Sequence, residues 1–289
     1  MTIEPCSLPS HPRPDPALID TARPIGMFDS GFGGLTVARA IIDLLPSEDL
    51  VYLGDTARYP YGSRSLNEVR AYSVEIAEHL VSTYDVKLLV VACNTATAAA
   101  LALLQDTLPI PVIGVIDPGV RALVEASESG RMGVIGTVGT VSSGAYDKAV
   151  AALDADVDLI SLACPGFVEF VERGVTSGPE VTLLARRLLA PLLESNIDAL
   201  LLGCTHYPYL ARVIADVVGR GVVLVSSADE TAFALADMLK RNGLAHPDGS
   251  REGRHEFVSS GDVRSFTRLG SRLLGPELVD ATLWRPGQP

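Results

Sequence analysis

Short apolar runs of strand length alternate with helix-like runs along almost the whole chain, and this alternation constrains the fold more than any other feature. Ile25–Phe28, Leu50–Leu53, Leu88–Ala92 and Val112–Ile116 read as buried strands. Between them, Leu35–Leu44, Ser65–Tyr84 and Thr97–Asp106 carry helical spacing, with Ser65 in an N-cap position. The pattern then restarts. Strands at Arg131–Ile135, Val157–Leu162, Ala199–Leu202 and Val222–Val225 alternate with helices at Ser143–Leu153, Pro179–Ser195 and Leu210–Val218. Next come a helix at Glu230–Arg241, a strand at Glu256–Ser259 and a short amphipathic helix at Phe266–Leu274. The tail after Gly275 carries little pattern. Apolar strands separated by helices specify a parallel sheet covered on both faces.

Two landmarks recur. Cys93 and Cys204 lie 111 positions apart, and the turns entered at Gly26 and Gly133 lie 107 apart. Near-equal spacing suggests a duplicated α/β unit with pseudo-twofold symmetry, although parallel α/β segments also resemble one another without duplication. Each cysteine comes after an apolar run and precedes a polar turn into a helix-like stretch. A side chain there sits at the carboxyl end of a strand, where open α/β sheets place ligand sites. A nearby helix N-terminus favours the thiolate. Two such thiols facing one substrate can exchange a proton across it. The bland reading is that each is a small buried hydrophobe. Zinc fits poorly, because Cys204 and His206 form a single close pair and no second pair exists. His206 can hydrogen-bond the Cys204 thiol or protonate a neighbour.

Other turns are candidates for substrate contacts. Asp29-Ser-Gly-Phe-Gly-Gly34 exposes backbone N–H groups of the kind that bind anions, and it matches neither G-x-G-x-x-G nor G-x-x-x-x-G-K-[ST]. Asp29 would repel a carboxylate there. It suits an ammonium contact, a role in deprotonating a nearby thiol, or an ordinary cap. The loop Gly54–Gly62 ends in Pro-Tyr-Gly, which can make a rigid pocket wall or be only a turn. Gly136–Thr140, with Ser142 and Ser143, supplies hydroxyls suited to carboxylates without fixed charge. Cys164 comes after a weaker apolar run and reads as non-catalytic, and Glu169 is a candidate neighbour for His206.

Composition excludes other classes. With 23 basic against 35 acidic residues the net charge is −12, which gives no electrostatic footprint for nucleic acid. No apolar run approaches the roughly 20 residues that span a bilayer. Met1–Arg23 holds five prolines and no apolar core, so it reads as a disordered extension rather than a secretory signal. Four cysteines in a chain of this length argue for a reduced, cytoplasmic protein without a disulfide framework.

The motifs together resemble the glutamate racemase family of the cofactor-independent aspartate/glutamate racemase superfamily. The resemblance rests on Ile25–Val37, Gly54–Gly62, Ala92-Cys-Asn-Thr-Ala96, Val134–Thr140 with Ser143–Tyr146, Cys164-Pro, Leu202-Gly-Cys-Thr-His-Tyr-Pro208 and Ser227–Ala232, and it runs from about Pro24 to Gly275. It implies an α/β fold of two pseudo-symmetric parallel-sheet domains of flavodoxin-like type with the active site between them. The expected boundaries are an extension over 1–23, a first domain over 24–116 plus 226–276, a second over 117–225 and a tail over 277–289. The resemblance implies Cys93 and Cys204 as acid/base thiols, assisted by Asp29 and His206 respectively. Ser30, Tyr61, Gly62, Asn94, Thr95, Thr137, Thr140 and Thr205 would bind the amino acid alongside Asp29 and His206. No pyridoxal phosphate or metal is expected, and the product D-glutamate would serve peptidoglycan synthesis. A cytoplasmic homodimer without nucleic-acid or membrane partners is expected. The extension before Pro24 and Asp117 depart from the family core. A superfamily member acting on aspartate, a hydantoin or maleate is the alternative, as is a non-catalytic regulatory protein on this fold.

Overall fold

The computed structural model describes residues 19–287, so most of the expected N-terminal extension lies outside the described residues. Ile19, at its inner end, is buried in the core, and the Thr21 carbonyl accepts a hydrogen bond from Lys87 Nζ at 2.8 Å.

Ten strands form two sheets among the described residues: β1 (Ile25–Asp29), β2 (Leu50–Gly54), β3 (Leu88–Val91), β4 (Val112–Gly114), β5 (Arg131–Gly136), β6 (Asp158–Ala163), β7 (Ala199–Gly203), β8 (Val223–Ser226), β9 (His255–Ser259) and β10 (Thr282–Leu283). The first sheet has the order β10-β9-β2-β1-β3-β4 and the second β6-β5-β7-β8. All pairings are parallel. Removing β9 and β10 leaves β2-β1-β3-β4, the same order as the second sheet with β1 matched to β5 and β3 to β7. The repeat visible in the cysteine spacing is therefore a repeat of topology.

Helices cover both faces of each sheet. In the first half, α1 (Leu35–Leu44), α10 (Ser227–Arg241) and α11 (Val263–Leu274) pack on one face, and α2 (Leu66–Tyr84) and α3 (Asn94–Thr107) on the other. In the second half, α4 (Ile116–Ala126) and α6 (Ala145–Ala151) oppose α7 (Phe167–Glu172), α8 (Pro179–Glu194) and α9 (Ala211–Val218). Strands β1, β2, β3 and β7 are buried along their whole length, so each Ile, Leu, Met, Phe or Val contributes about 1.5–3 kcal/mol of burial. Ser65 caps α2 in a full capping box with Glu68.

Three local differences from the sequence pattern bear on the site. Helix α3 begins at Asn94, three residues earlier than its spacing suggests, which makes Cys93 its N-cap. The run expected as a helix over Ser143–Leu153 is α6, and a further short helix, α5 (Val138–Ser142), precedes it, the two separated at Gly144 with φ 65°. Helix α4 has no counterpart in the sequence pattern, because Pro118 and Gly119 look like breakers. Pro118 falls in its first turn, where a missing N–H costs nothing. No helix of the described residues is long and apolar enough to cross a membrane.

Candidate active site

In each sheet the chain leaves the centre in opposite directions, toward β2 and β4 from β1 and β3, and toward β6 and β8 from β5 and β7. Ligands of open α/β sheets bind at such switch points, outside the carboxyl ends of the strands. Residues just beyond β1, β2, β3, β5, β6 and β7 here surround one cavity of about 80 Å³ between the halves. At roughly 10–15 Å³ per water centre, it has room for a molecule of a few water volumes.

Cys93 enters the cavity from the first half and is 5% exposed. Its sulfur lies 3.9 Å from Ser30 Oγ. Burial, and then the Asp29 carboxylate, push the thiol up to about 12, against the Ala96 N–H and Ser30 hydroxyl that favour the thiolate. Asp29 is fully buried, and burial raises its carboxyl above the ordinary value in spite of the His206 charge. Its oxygens accept from Gly31 N–H at 2.9 Å and from the Thr205 hydroxyl at 3.2 Å. Asp29 thus bonds across to the second half, and Ser30 is the hydroxyl at the Cys93 sulfur.

Cys204 enters from the second half, also 5% exposed. His206 Nδ1 lies 3.8 Å from its sulfur, and His206 Nε2 lies 2.6 Å from Glu172 Oε1. Burial pulls the His206 ring down, but its hydrogen bonds to Cys204 and Glu172 outweigh this and hold it up at about 10. Both contacts favour the charged ring, in which both nitrogens donate. No Lys or Arg lines the cavity among the described residues.

Neutral polar groups complete the wall. The hydroxyls of Thr95, Thr137 and Thr140 form a triangle with sides of 3.0, 3.0 and 2.9 Å that ties the start of α3 to α5. Asn94 Nδ2 donates to the Tyr146 hydroxyl at 2.9 Å, while Asn94 Oδ1 is buried with no partner. Two glycines permit close approach of the halves. A Cβ on Gly62 would meet Thr137 Cβ at 2.7 Å, and one on Gly33 would collide with Thr205 and His206.

Of the residues singled out from sequence, Ser30, Tyr61, Gly62, Cys93, Asn94, Thr95, Thr137, Cys204, Thr205 and His206 line the cavity. Asp29 and Thr140 are fully buried one layer behind it. Glu169 also lines the cavity, but the carboxylate on His206 belongs to Glu172, one turn further along α7. The repeat Phe-Val-Glu-Phe-Val-Glu over 167–172 is the signal that could have found it, since i and i+3 share a helix face. Cys164, Tyr59 and Pro60 line the cavity as well. Cys164 is buried, and burial pushes its thiol up to about 12.

Fold and site define a class: a doubled parallel α/β protein with a ligand cavity at paired switch points and a thiol from each half at matched strand ends. Comparison with known proteins narrows it. The family model described as Asp/Glu/Hydantoin racemase matches residues 33–235. A glutamate racemase of Parafrankia sp. (strain EAN1pec) is 52% identical over 260 residues, covering 90% of this chain and 94% of that protein. A glutamate racemase isoform from Bacillus anthracis superposes with a TM-score of 0.86 at 43% identity, over 92% of this chain and 98% of that one. The Francisella tularensis glutamate racemase, solved in complex with D-glutamate, gives 0.86 at 33% identity, over 93% and 99%. The chain belongs to the Asp/Glu/hydantoin racemase family and, within it, to the glutamate racemases.

Proposed function

We propose that this enzyme interconverts L- and D-glutamate by passing a proton between Cys93 and Cys204 across the substrate. The observation that carries the reading is one buried cysteine from each half in a single cavity at the ends of matched strands. One cysteine, as thiolate, removes the Cα proton. The other, as thiol, delivers a proton to the opposite face. The roles are exchanged after each turnover, so the reverse reaction uses the same pair.

The surroundings fit a substrate with two carboxylates and one ammonium. The first-turn backbone N–H groups of α3 would serve developing negative charge, and the Thr95–Thr137–Thr140 hydroxyls would add donors. The unpartnered Asn94 Oδ1 is an acceptor for the ammonium. Cys93 rests as a thiol, and a bound ammonium would bring in the positive charge that favours its thiolate. Asp29, more basic than usual, shares this charge balance behind Cys93. The His206–Glu172 pair sets a cation against Cys204. Thr205 and His206 contribute donors from the Cys204 turn, and Tyr61 and Gly62 close the opposite wall. The reading needs neither metal nor pyridoxal phosphate, and it places the enzyme in the cytoplasm, supplying D-glutamate for peptidoglycan.

The test is isotope exchange. L-Glutamate is turned over in heavy water and the reaction stopped early. With two bases, the D-glutamate formed carries deuterium at Cα while recovered L-glutamate stays mostly protiated. Substantial protium in the early D-product, read by mass spectrometry, overturns the two-thiol assignment. Absence of turnover with glutamate overturns the substrate assignment.

A further inference from the structure

The stretch after Gly275 carries little sequence pattern, yet it is built into the first half. β10 pairs parallel to β9, with Thr282 opposite Val258 and Leu283 opposite Ser259, and Trp284 N–H donates to the Ser259 carbonyl at 2.9 Å. Trp284 is the chain's single tryptophan, and it is 7% exposed. Its indole stacks on His79, ring centroids 5.1 Å apart at 20°. The Arg58 guanidinium lies 5.5 Å from the Trp284 ring centre and 4.3 Å from that of Tyr72. Beyond the tryptophan, Gly287 N–H donates to Glu75 Oε1 at 2.6 Å, and the other oxygen of Glu75 pairs with Arg58.

Arg58 links this cluster to the cavity. Its Nε donates to Asp55 Oδ2 at 2.7 Å, and the Tyr61 hydroxyl donates to the same oxygen. Asp55 Oδ1 accepts from the Ser260 hydroxyl at 2.6 Å, and Ser260 Oγ in turn accepts from Ala57 N–H at 2.9 Å. The Arg58 carbonyl takes Arg64 Nε at 2.6 Å. The loop between these anchors, Tyr59–Ser63, forms one wall of the cavity, and Gly62 on it abuts Thr137 of the second half. A contiguous set of stacked and charge-assisted contacts thus runs from the chain's last described residues to the wall.

We infer that the segment Thr282–Gly287 is a positioning strap for the substrate loop, acting through Trp284, Arg58 and Asp55 on Tyr61 and Gly62. The strap makes no contact with the cavity, and the residues named for the proton transfer do not touch it. Its predicted effect is on how well the wall is held for glutamate, so it rests on the glutamate reading above. Aromatic stacking on a guanidinium is geometry-dependent, so a smaller ring should hold Arg58 less well than indole, and no ring should loosen it against its remaining partners Tyr72, Asp55 and Glu75.

The experiment uses the full chain and its one tryptophan. Saturating glutamate should shift or quench Trp284 emission in the native protein, although the indole is remote from the substrate. Trp284→Ala should raise KM about tenfold with kcat changed by less than about threefold, and Trp284→Phe should recover most of the loss. A strap that serves stability alone would lower the melting temperature of Trp284→Ala and leave KM unchanged. That result, or native emission indifferent to saturating glutamate, overturns the inference. Should Trp284→Ala fail to fold, the native emission and the Trp284→Phe kinetics decide it. Native enzyme that turns over glutamate while both strap readouts stay flat removes the strap alone. Native enzyme inactive on glutamate removes the functional reading on which it rests.

Discussion

Replacing Glu172 by Gln keeps the shape of the side chain and removes the charge that His206 Nε2 holds at 2.6 Å. His206 is 3% exposed, so the loss is not made up by solvent. Its ring stands at about 10 against an ordinary 6.5. At about 1.4 kcal/mol per pH unit, that gap is about 5 kcal/mol in favour of the charged ring, net of the burial that opposes it. Glu172 supplies part of the raise, by hydrogen bond and by charge, and its loss should lower the His206 midpoint by roughly one to two pH units, about 2 kcal/mol.

Linkage sets the sign of the effect. A midpoint raised by folding contributes stability that is fully present below about 6.5 and is lost as pH rises through about 10. Glu172→Gln should therefore melt about 4–8 °C lower at neutral pH, at roughly 2–4 °C per kcal/mol for a chain of this size, and the gap should close as pH approaches 10. NMR of labelled histidine reads the midpoint directly, with the other four histidines as internal controls. The alkaline limb of the rate profile should move to lower pH by the same amount. An unchanged His206 midpoint, or a melting gap that does not narrow with pH, would refute the claim that Glu172 maintains the imidazolium.

Two further expectations concern single side chains. Cys93→Ala and Cys204→Ala should each lower turnover in both directions by roughly 10³-fold or more, since each direction needs a base on one face and an acid on the other. Cys164→Ala should stay within about tenfold of the native rate although Cys164 also lines the cavity, as circular dichroism of either enantiomer will show. Lys87 and Glu48 form an ion pair at 2.6 Å with side chains 0% and 3% exposed. Lys87→Met should thus cost about 3–5 kcal/mol in denaturant unfolding by stranding the Glu48 charge, while native-temperature kinetics hold.

The sequence made the thiols legible because strand ends are legible. Apolar runs stop abruptly at Ala92 and Gly203, and the residue next after a parallel strand falls at the sheet edge where ligands bind. Helix boundaries were less visible. Asn94, Thr95 and Thr97 are poor helix formers, so local propensity started α3 too late and hid that Cys93 is its cap. Helix α7 is only six residues long, and its reward is tertiary, through Phe167 and Val171 in the core. Strand β10 is two residues long and is held by its pairing with β9 and the Trp284 stack, neither of which leaves a periodic trace.

Duplication also explains what the sequence could not distinguish. It places Cys93 and Cys204 at equivalent strand ends, but it does not make their surroundings alike. Cys93 has the Ser30 hydroxyl beside it and the Asp29 carboxylate behind it, both from the turn after β1. The equivalent turn after β5 carries Thr137 and Val138, with no acid. The charge at Cys204 comes instead from His206, two residues on, backed by a glutamate on α7. In the proposed mechanism both thiols gain and lose a proton, yet one lies near a buried carboxylate and the other against a buried histidine. Asp29 accepts the Thr205 hydroxyl across the interface, next to His206, so the two unlike surroundings are joined rather than independent. Asp29, Thr205 and His206 thus form a short buried path between the two cysteines, along which a charge placed at one side can bias the other in the proposed proton transfer.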